Sequence, residues 1–367
     1  MKRLFPACLL FAAGPAWGLS IQLDYTYDQA NGNFFGTHPA AKAALEAAAG
    51  DLSLAVLPSL AAVGTDVFTG MEGGDTATFD WRLSIRDPST GAQANLETFT
   101  FATDVVRLFV GVGSLGGTTL GLGGPSGAGF SLAGSGTSEA AWPATVAEAE
   151  AASNAVMVRG GGPVIGSLSG SSTFGTVTAN YTVRFGTLAG SISFDNDRNN
   201  NGIQDSEADL AATWHFDHTA PVAPGKNDFY SVALHEMLHV LGVGSGVTWD
   251  SQLFDDGNGD GFLSWDGPAV AAVAAMGGLN IIDGDGSHLR ENVMSRRLSD
   301  GMMQEVVMTP TLLTGTRNRL TELDVAFLRD LGYQTIPEPG SAGLLALGMG
   351  LIVGVRRRRQ SGSDPHP

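Results

Sequence analysis

The sequence predicts an α+β fold, and three observations carry that reading. Segments of strand-like alternation are mixed with segments of helical spacing, without the regular strand–helix–strand order of a parallel α/β domain. Glycine is abundant at 51 residues and charged residues make up only 16%, which points to a loop-rich extracellular protein rather than a helical bundle. The 367 residues are 43% apolar, enough to bury a real core.

In chain order, residues 21–27 alternate as a strand, and residues 38–63 carry Ala and Leu at helical spacing with Pro39 near the start. Residues 76–85 and 99–112 are predicted strands; 113–136 is a Gly/Ser-rich loop or an irregular sheet edge. A short helix is expected over 138–152, then strands over 174–185 and 191–194. Residues 227–243 form the clearest helix, followed by helices over 268–276 and 322–331. The expected organisation is an export signal over 1–18, one domain over 19–335, a sorting tail over 336–360 and a short polar end over 361–367.

A net charge of −17 excludes a nucleic-acid partner, because phosphate binding needs clustered Lys and Arg. The single cysteine, Cys8, falls in the segment expected to be removed, so disulfides and thiolate zinc sites are excluded from the mature chain.

Both ends read as addresses. Lys2 and Arg3, the apolar run 4–13, and Ala16-Trp17-Gly18 have the order of a signal peptide and its cleavage site. Near the other end, Pro337-Glu338-Pro339 precedes an apolar run over 340–355 and the block Arg356-Arg357-Arg358-Arg359. The run is short against the ~20 residues that span a bilayer, yet the arginines mark a cytoplasmic stop. This order resembles the PEP-CTERM sorting tail. That resemblance implies an exosortase-like processing enzyme as partner, and transient anchoring in the membrane through the C-terminal segment; a plain membrane anchor is the alternative.

The chemistry centres on His235-Glu236-Met237-Leu238-His239. On a helix, imidazoles four residues apart project from one face and can grip one zinc ion. Glu236 sits beside them, where a carboxylate can take a proton from a zinc-bound water and deliver it to a leaving amine. The flanking Val232, Ala233, Val240 and Leu241 make this helix buried, and buried histidines need partners. A pair of hydrogen-bonded core histidines is the plain alternative.

Gly242 follows His239 by three, as in metzincin peptidases, where a glycine turns the chain. The short metzincin form then places a third His where this chain has Ser245, a poor zinc ligand. His288 closes the flexible run Asp283-Gly284-Asp285-Gly286-Ser287 and is the candidate third ligand, with Asp250 and Glu291 behind it; a solvated loop histidine is the other reading. With Val307-Met308-Thr309-Pro310 and the closing Asp330-Leu331-Gly332-Tyr333, the pattern is similar to leishmanolysin, a metzincin with a late third histidine. The resemblance covers about residues 191–333. It implies a metzincin-like zincin domain, a twisted mixed sheet with an active-site helix and a C-terminal helix. It also implies Met308 as an apolar floor under the metal, with Met294 as second choice or either as a core methionine.

Asp256-Gly257-Asn258-Gly259-Asp260, with Ser264 and Asp266 after it, alternates oxygen side chains in the manner of a calcium loop. Asp197, Asn199, Asn201, Gly202 and Asp205 do so less completely, and a solvated turn explains either loop equally well. By the same resemblance, Gly190, Ser191, Ile192 and Ser193 form the sheet edge that pairs with an extended polypeptide substrate, against an ordinary core strand. The expected function is therefore a secreted zinc endopeptidase with Glu236 as general base. The alternative is a non-catalytic envelope or matrix protein stabilised by calcium or zinc.

Overall fold

The computed structural model describes residues 18–60, 62, 68–72, 75–97, 101–135, 166–174, 177–185, 188–273 and 280–336. The expected signal over 1–18 (Gly18 apart), the helix over 138–152 and the apolar run 340–355 lie outside them. No helix among the described residues is long and apolar enough to cross a membrane.

The site rests on a four-stranded mixed sheet of β1 (Ser20–Asp24), β2 (Val105–Gly113), β3 (Gly121–Pro125) and β4 (Ala189–Asp195) in the spatial order β1-β2-β4-β3. β1 and β4 both run parallel to β2, whereas β3 runs antiparallel to β4. Every residue of β4 is buried, as expected for a strand covered on both faces. The first long helix, α1 (Pro39–Ala55), buries Ala41, Ala44, Leu45, Ala48 and Leu52, a stripe at the helical period. That stripe packs against α2 (Phe229–Val240), which runs beneath β3 and β4. Phe194 of β4 meets Phe229 of α2 with ring centroids 4.4 Å apart.

A second antiparallel sheet of Phe68–Glu72, Asp75–Arg86, Gln93–Glu97 and Gly127–Ser135, and a hairpin of Gly166–Phe174 with Val177–Phe185, complete the first half. In the second half, Trp249, Trp265 and Phe327 cluster with centroids 4.5 to 5.2 Å apart. Phe327 lies on α3 (Glu322–Asp330), which starts with a capping box in which Thr321 and Asp324 satisfy each other's backbone N–H.

Both ends of the described domain meet one short segment. The Leu19 N–H donates to Val56 O, Leu57 N–H to Gln334 O, and Ile336 N–H to Ala55 O, at 2.8, 2.8 and 3.1 Å.

Several predicted elements differ. The first strand ends at Asp24, not Tyr27, because Asp24 Oδ1 accepts the Thr26 N–H at 3.0 Å and starts a short helix, Thr26–Ala30. The helix predicted to residue 63 stops at Ala55, where Val56 bridges to Thr335. Of the two readings for 113–136, the sheet edge holds: β3 and Gly127–Ser135 are both strands.

Candidate metal centre

Helix α2 is placed by its two ends. At its start Asp228 accepts the Ser231 N–H at 3.0 Å, and the same carboxylate grips Arg317 at 2.7 Å from Nη2. Arg317 also donates to the carbonyls of Asp217, His218 and Ala220, so the guanidinium joins the helix cap to the preceding loop. At its end, Gly242 N–H donates to His239 O and Val243 N–H to Leu238 O, with Gly242 at φ +102°. This is the Schellman closure, and it requires the left-handed residue that glycine supplies. Ser245, which stands where the short metzincin form has a ligand, donates its hydroxyl to His239 O at 2.5 Å instead.

His288 does return to the helix. Its ring centroid lies 5.3 Å from that of His235 and 5.1 Å from that of His239, and the latter two are 4.8 Å apart. One ligand atom from each falls within 4.8 Å of the other two, and among the described residues this is the one grouping of His, Cys, Asp and Glu suited to an ion. Asp250 and Glu291 are exposed and stand outside it.

Each ring is oriented through its second nitrogen. His235 Nδ1 bonds Val307 O at 2.9 Å, His239 Nδ1 bonds Val243 O at 2.8 Å, and His288 Nδ1 bonds the Asp285 carboxylate at 2.6 Å. An oxygen acceptor at every Nδ1 fixes the proton there and leaves the Nε2 lone pair for a ligand role. Burial, and after it the neighbouring imidazole, holds His235 well below the usual histidine range and His239 at about 4, so both rings are neutral at pH 7. Three ring nitrogens from two segments, with a buried carboxyl beside them, make a donor set that could hold a metal ion.

The supports of these rings are what the sequence did not show. Asp285 Oδ1 accepts the N–H groups of Ser287 and His288 while Oδ2 takes the ring, so one carboxylate shapes the loop and aims the imidazole. Trp249, fully buried, donates its indole N–H to Gly286 O at 2.7 Å. Met308 is fully buried, and its carbonyl accepts the Leu289 N–H at 2.8 Å, next to His288. Met294 is 50% exposed on a surface hairpin and lies away from any core position.

Glu236 is buried under β3. A Cβ on Gly121 would stand 2.6 Å from its Oε1, and one on Gly123 would stand 2.4 Å from its backbone oxygen. Glycine at both places lets the strand lie directly on the helix. Burial pushes the Glu236 carboxyl up to about 8, opposed by a hydrogen bond from the Gly123 N–H. All four groups line a cleft of about 640 Å³, whose walls include Leu120 to Gly123 on one side and Val307 to Leu312 on the other. A larger groove of about 1000 Å³ between β1 and α1 holds no converging imidazoles.

The predicted substrate edge is corrected. Gly190, Ser191, Ile192 and Ser193 lie on β4, paired with β2 on one side and β3 on the other, so they have no free edge. Among the described residues the free edge at the cleft belongs to β3, whose glycines carry no apolar alternation to reveal a strand. In the first calcium-like loop the Asn258 amide donates to both Asp256 and Asp260, Ser264 is buried in a two-residue ladder, and Asp266 is exposed.

Comparison with family models finds one match, over the chain's last part. Residues 335–359 match the PEP-CTERM protein-sorting motif. The protein is accordingly exported and associated with the cell envelope through its C-terminal sorting tail, and the motif implies processing by an exosortase-like enzyme. Neither curated proteins nor solved structures give a match to the chain.

Proposed function

We propose that this envelope protein is a zinc-dependent endopeptidase with a metzincin-like domain. One observation carries the reading: three imidazoles converge with each Nδ1 already committed to an oxygen, beside a buried carboxyl and an open strand edge. His235, His239 and His288 would hold the ion, which supplies Lewis acidity toward a carbonyl and toward water.

The chain's own groups do the rest. The unpaired edge of β3 takes an extended peptide by backbone hydrogen bonds, which holds the scissile bond over the site with little sequence choice. Burial alone pushes the Glu236 carboxyl up to about 8; a cation held by the neighbouring imidazoles would favour its ionised form, in which Glu236 accepts a proton from the attacking water and returns it to the leaving amine. Its burial under Gly121 and Gly123 limits bulk water around that proton. Met308 forms the apolar support behind the histidine turns.

The test is purified protein carrying about one zinc per chain, assayed on casein, beside Glu236→Gln. The variant should keep its zinc and lose about a hundredfold or more of hydrolysis. Comparable turnover by the variant would refute the role of Glu236. Bound zinc with no hydrolysis by the unaltered protein would instead favour a structural metal in a non-catalytic envelope protein.

A further inference from the structure

Apart from its histidines, the cleft is lined by two ionisable side chains, Glu236 and Arg198. Arg198 is carried by the turn that follows β4, and its side chain is 13% exposed. Nη1 is doubly committed, donating at 2.7 Å to Asp195 Oδ2 and at 2.7 Å to Thr119 O. The opposite edge of the guanidinium is not. Nε is shielded from solvent with no hydrogen-bond partner, and Nη2 makes no bond among the described residues.

A buried guanidinium donor without an acceptor is costly, and native proteins rarely keep one without a use. Nε stays sealed inside, whereas Nη2 keeps contact with the cleft and can donate a charge-assisted hydrogen bond to an oxygen of one carboxylate. The Nη1 anchor holds the guanidinium still, so little ordering is lost on binding. The nearby acids are already occupied: Asp197 accepts from Ser114, Asn201 and Gly202, and Asp205 accepts the Arg198 backbone N–H. The same cleft is also lined by the hydroxyl and amide side chains of Thr119, Asn227, Ser231 and Asn318.

We propose that Arg198 selects peptides bearing a carboxylate side chain, Asp or Glu, next to the scissile bond. The assignment of the cleft as a peptide site rests on the peptidase reading above. Arg198 contacts the substrate and takes no part in proton transfer.

The experiment uses matched fluorogenic peptides that differ by Glu against Gln at each position flanking the cleaved bond. Cleavage is measured on zinc-loaded protein, and binding on zinc-loaded Glu236→Gln. The Glu peptide should be favoured at one flanking position by about tenfold to a hundredfold in kcat/KM and in affinity. Arg198→Gln should bring both ratios close to one, and Arg198→Lys should restore part of the preference, since it returns charge without the anchored guanidinium. Circular dichroism melting of both variants guards against lost folding; should neither fold, the Glu/Gln ratio of the unaltered protein decides. Equal handling of the two peptides, or a preference untouched by Arg198→Gln, overturns the proposal. Selective binding of the Glu peptide with no cleavage sustains the role of Arg198 and rejects the peptidase reading.

Discussion

The carbonyl oxygen of Ser287 stands 1.9 Å from where a Cβ on Gly244 would be built. The loop leaving α2 and the loop carrying His288 therefore touch backbone to backbone, and only glycine at 244 leaves room. Gly244 also sits at φ +71°, a left-handed conformation that costs other residues about 1 kcal/mol.

Gly244→Ala should thus do more than strain one residue. It forces Ser287 away and takes His288 with it, so zinc affinity should drop by at least about tenfold, in the range seen when the support of a ligand is lost. Gly257→Ala is the control: φ there is +74°, but nothing lies within 4 Å. It should cost about 1 kcal/mol of stability and leave zinc affinity unchanged. Zinc competition titrations and urea unfolding of both variants provide the comparison.

Asp285→Asn isolates ring orientation from loop shape. The Asn oxygen can still accept the Ser287 and His288 N–H groups, but its amide then faces His288 Nδ1 and donates to it. That moves the ring proton to Nε2, the nitrogen needed by the ion. Zinc affinity should weaken about 10- to 100-fold with little change in melting temperature. A variant that binds zinc as tightly as the unaltered chain would show that Asp285 does not set the tautomer.

Asp324 links stability to pH. Its carboxylate is 1% exposed and accepts from Thr321 and from the Val307 N–H, directly behind the carbonyl that holds His235. Burial raises its pKa from 3.8 to about 6, against the Thr321 hydrogen bonds. The folded chain therefore holds this proton more tightly than the unfolded one. The stabilisation it brings is complete below about pH 4 and is lost as pH rises through about 6, a change of about 3 kcal/mol. The stability difference between the unaltered protein and Asp324→Asn should shrink by that amount across this window in urea titrations. A difference that stays constant from pH 4 to 7 would contradict it.

Arg317→Ala should destabilise by about 3 kcal/mol, because it strands the fully buried Asp228 carboxylate at the start of α2. Replacing Lys42, whose pair with Glu46 is solvent-exposed, should cost no more than about 0.5 kcal/mol. Chemical denaturation of the two variants separates a buried clamp from a surface pair.

What could be read from the sequence follows from where the signal resides. His235, Glu236 and His239 are legible because their spacing, the apolar residues around them and Gly242 all mark one helix. The return of His288 is legible as an Asp/Gly run that permits a turn. The oxygens that aim His235 and His239 are the carbonyls of Val307 and Val243, and backbone groups leave no residue signature. The strand at the cleft edge stays open in the sequence between a loop and a sheet edge because Gly121, Gly123 and Gly124 supply no alternation; its glycines answer to the helix beneath, not to a pleat. Arg198 was invisible as a cleft residue since its position depends on the turn after β4 and on Thr119, far away in the chain.

The meeting of Leu19, Ala55 to Leu57 and Gln334 to Ile336 has a consequence for how the molecule matures. The long-range bonds of that seam join Leu57 to Gln334 and Ala55 to Ile336, so a chain that emerges from its amino end keeps the first partners waiting for the last across most of the domain. The sorting motif begins at the same residues, 335 onward. The seam therefore closes only once the start of the tail is present, and the tail is tied to the folded body at its first residues.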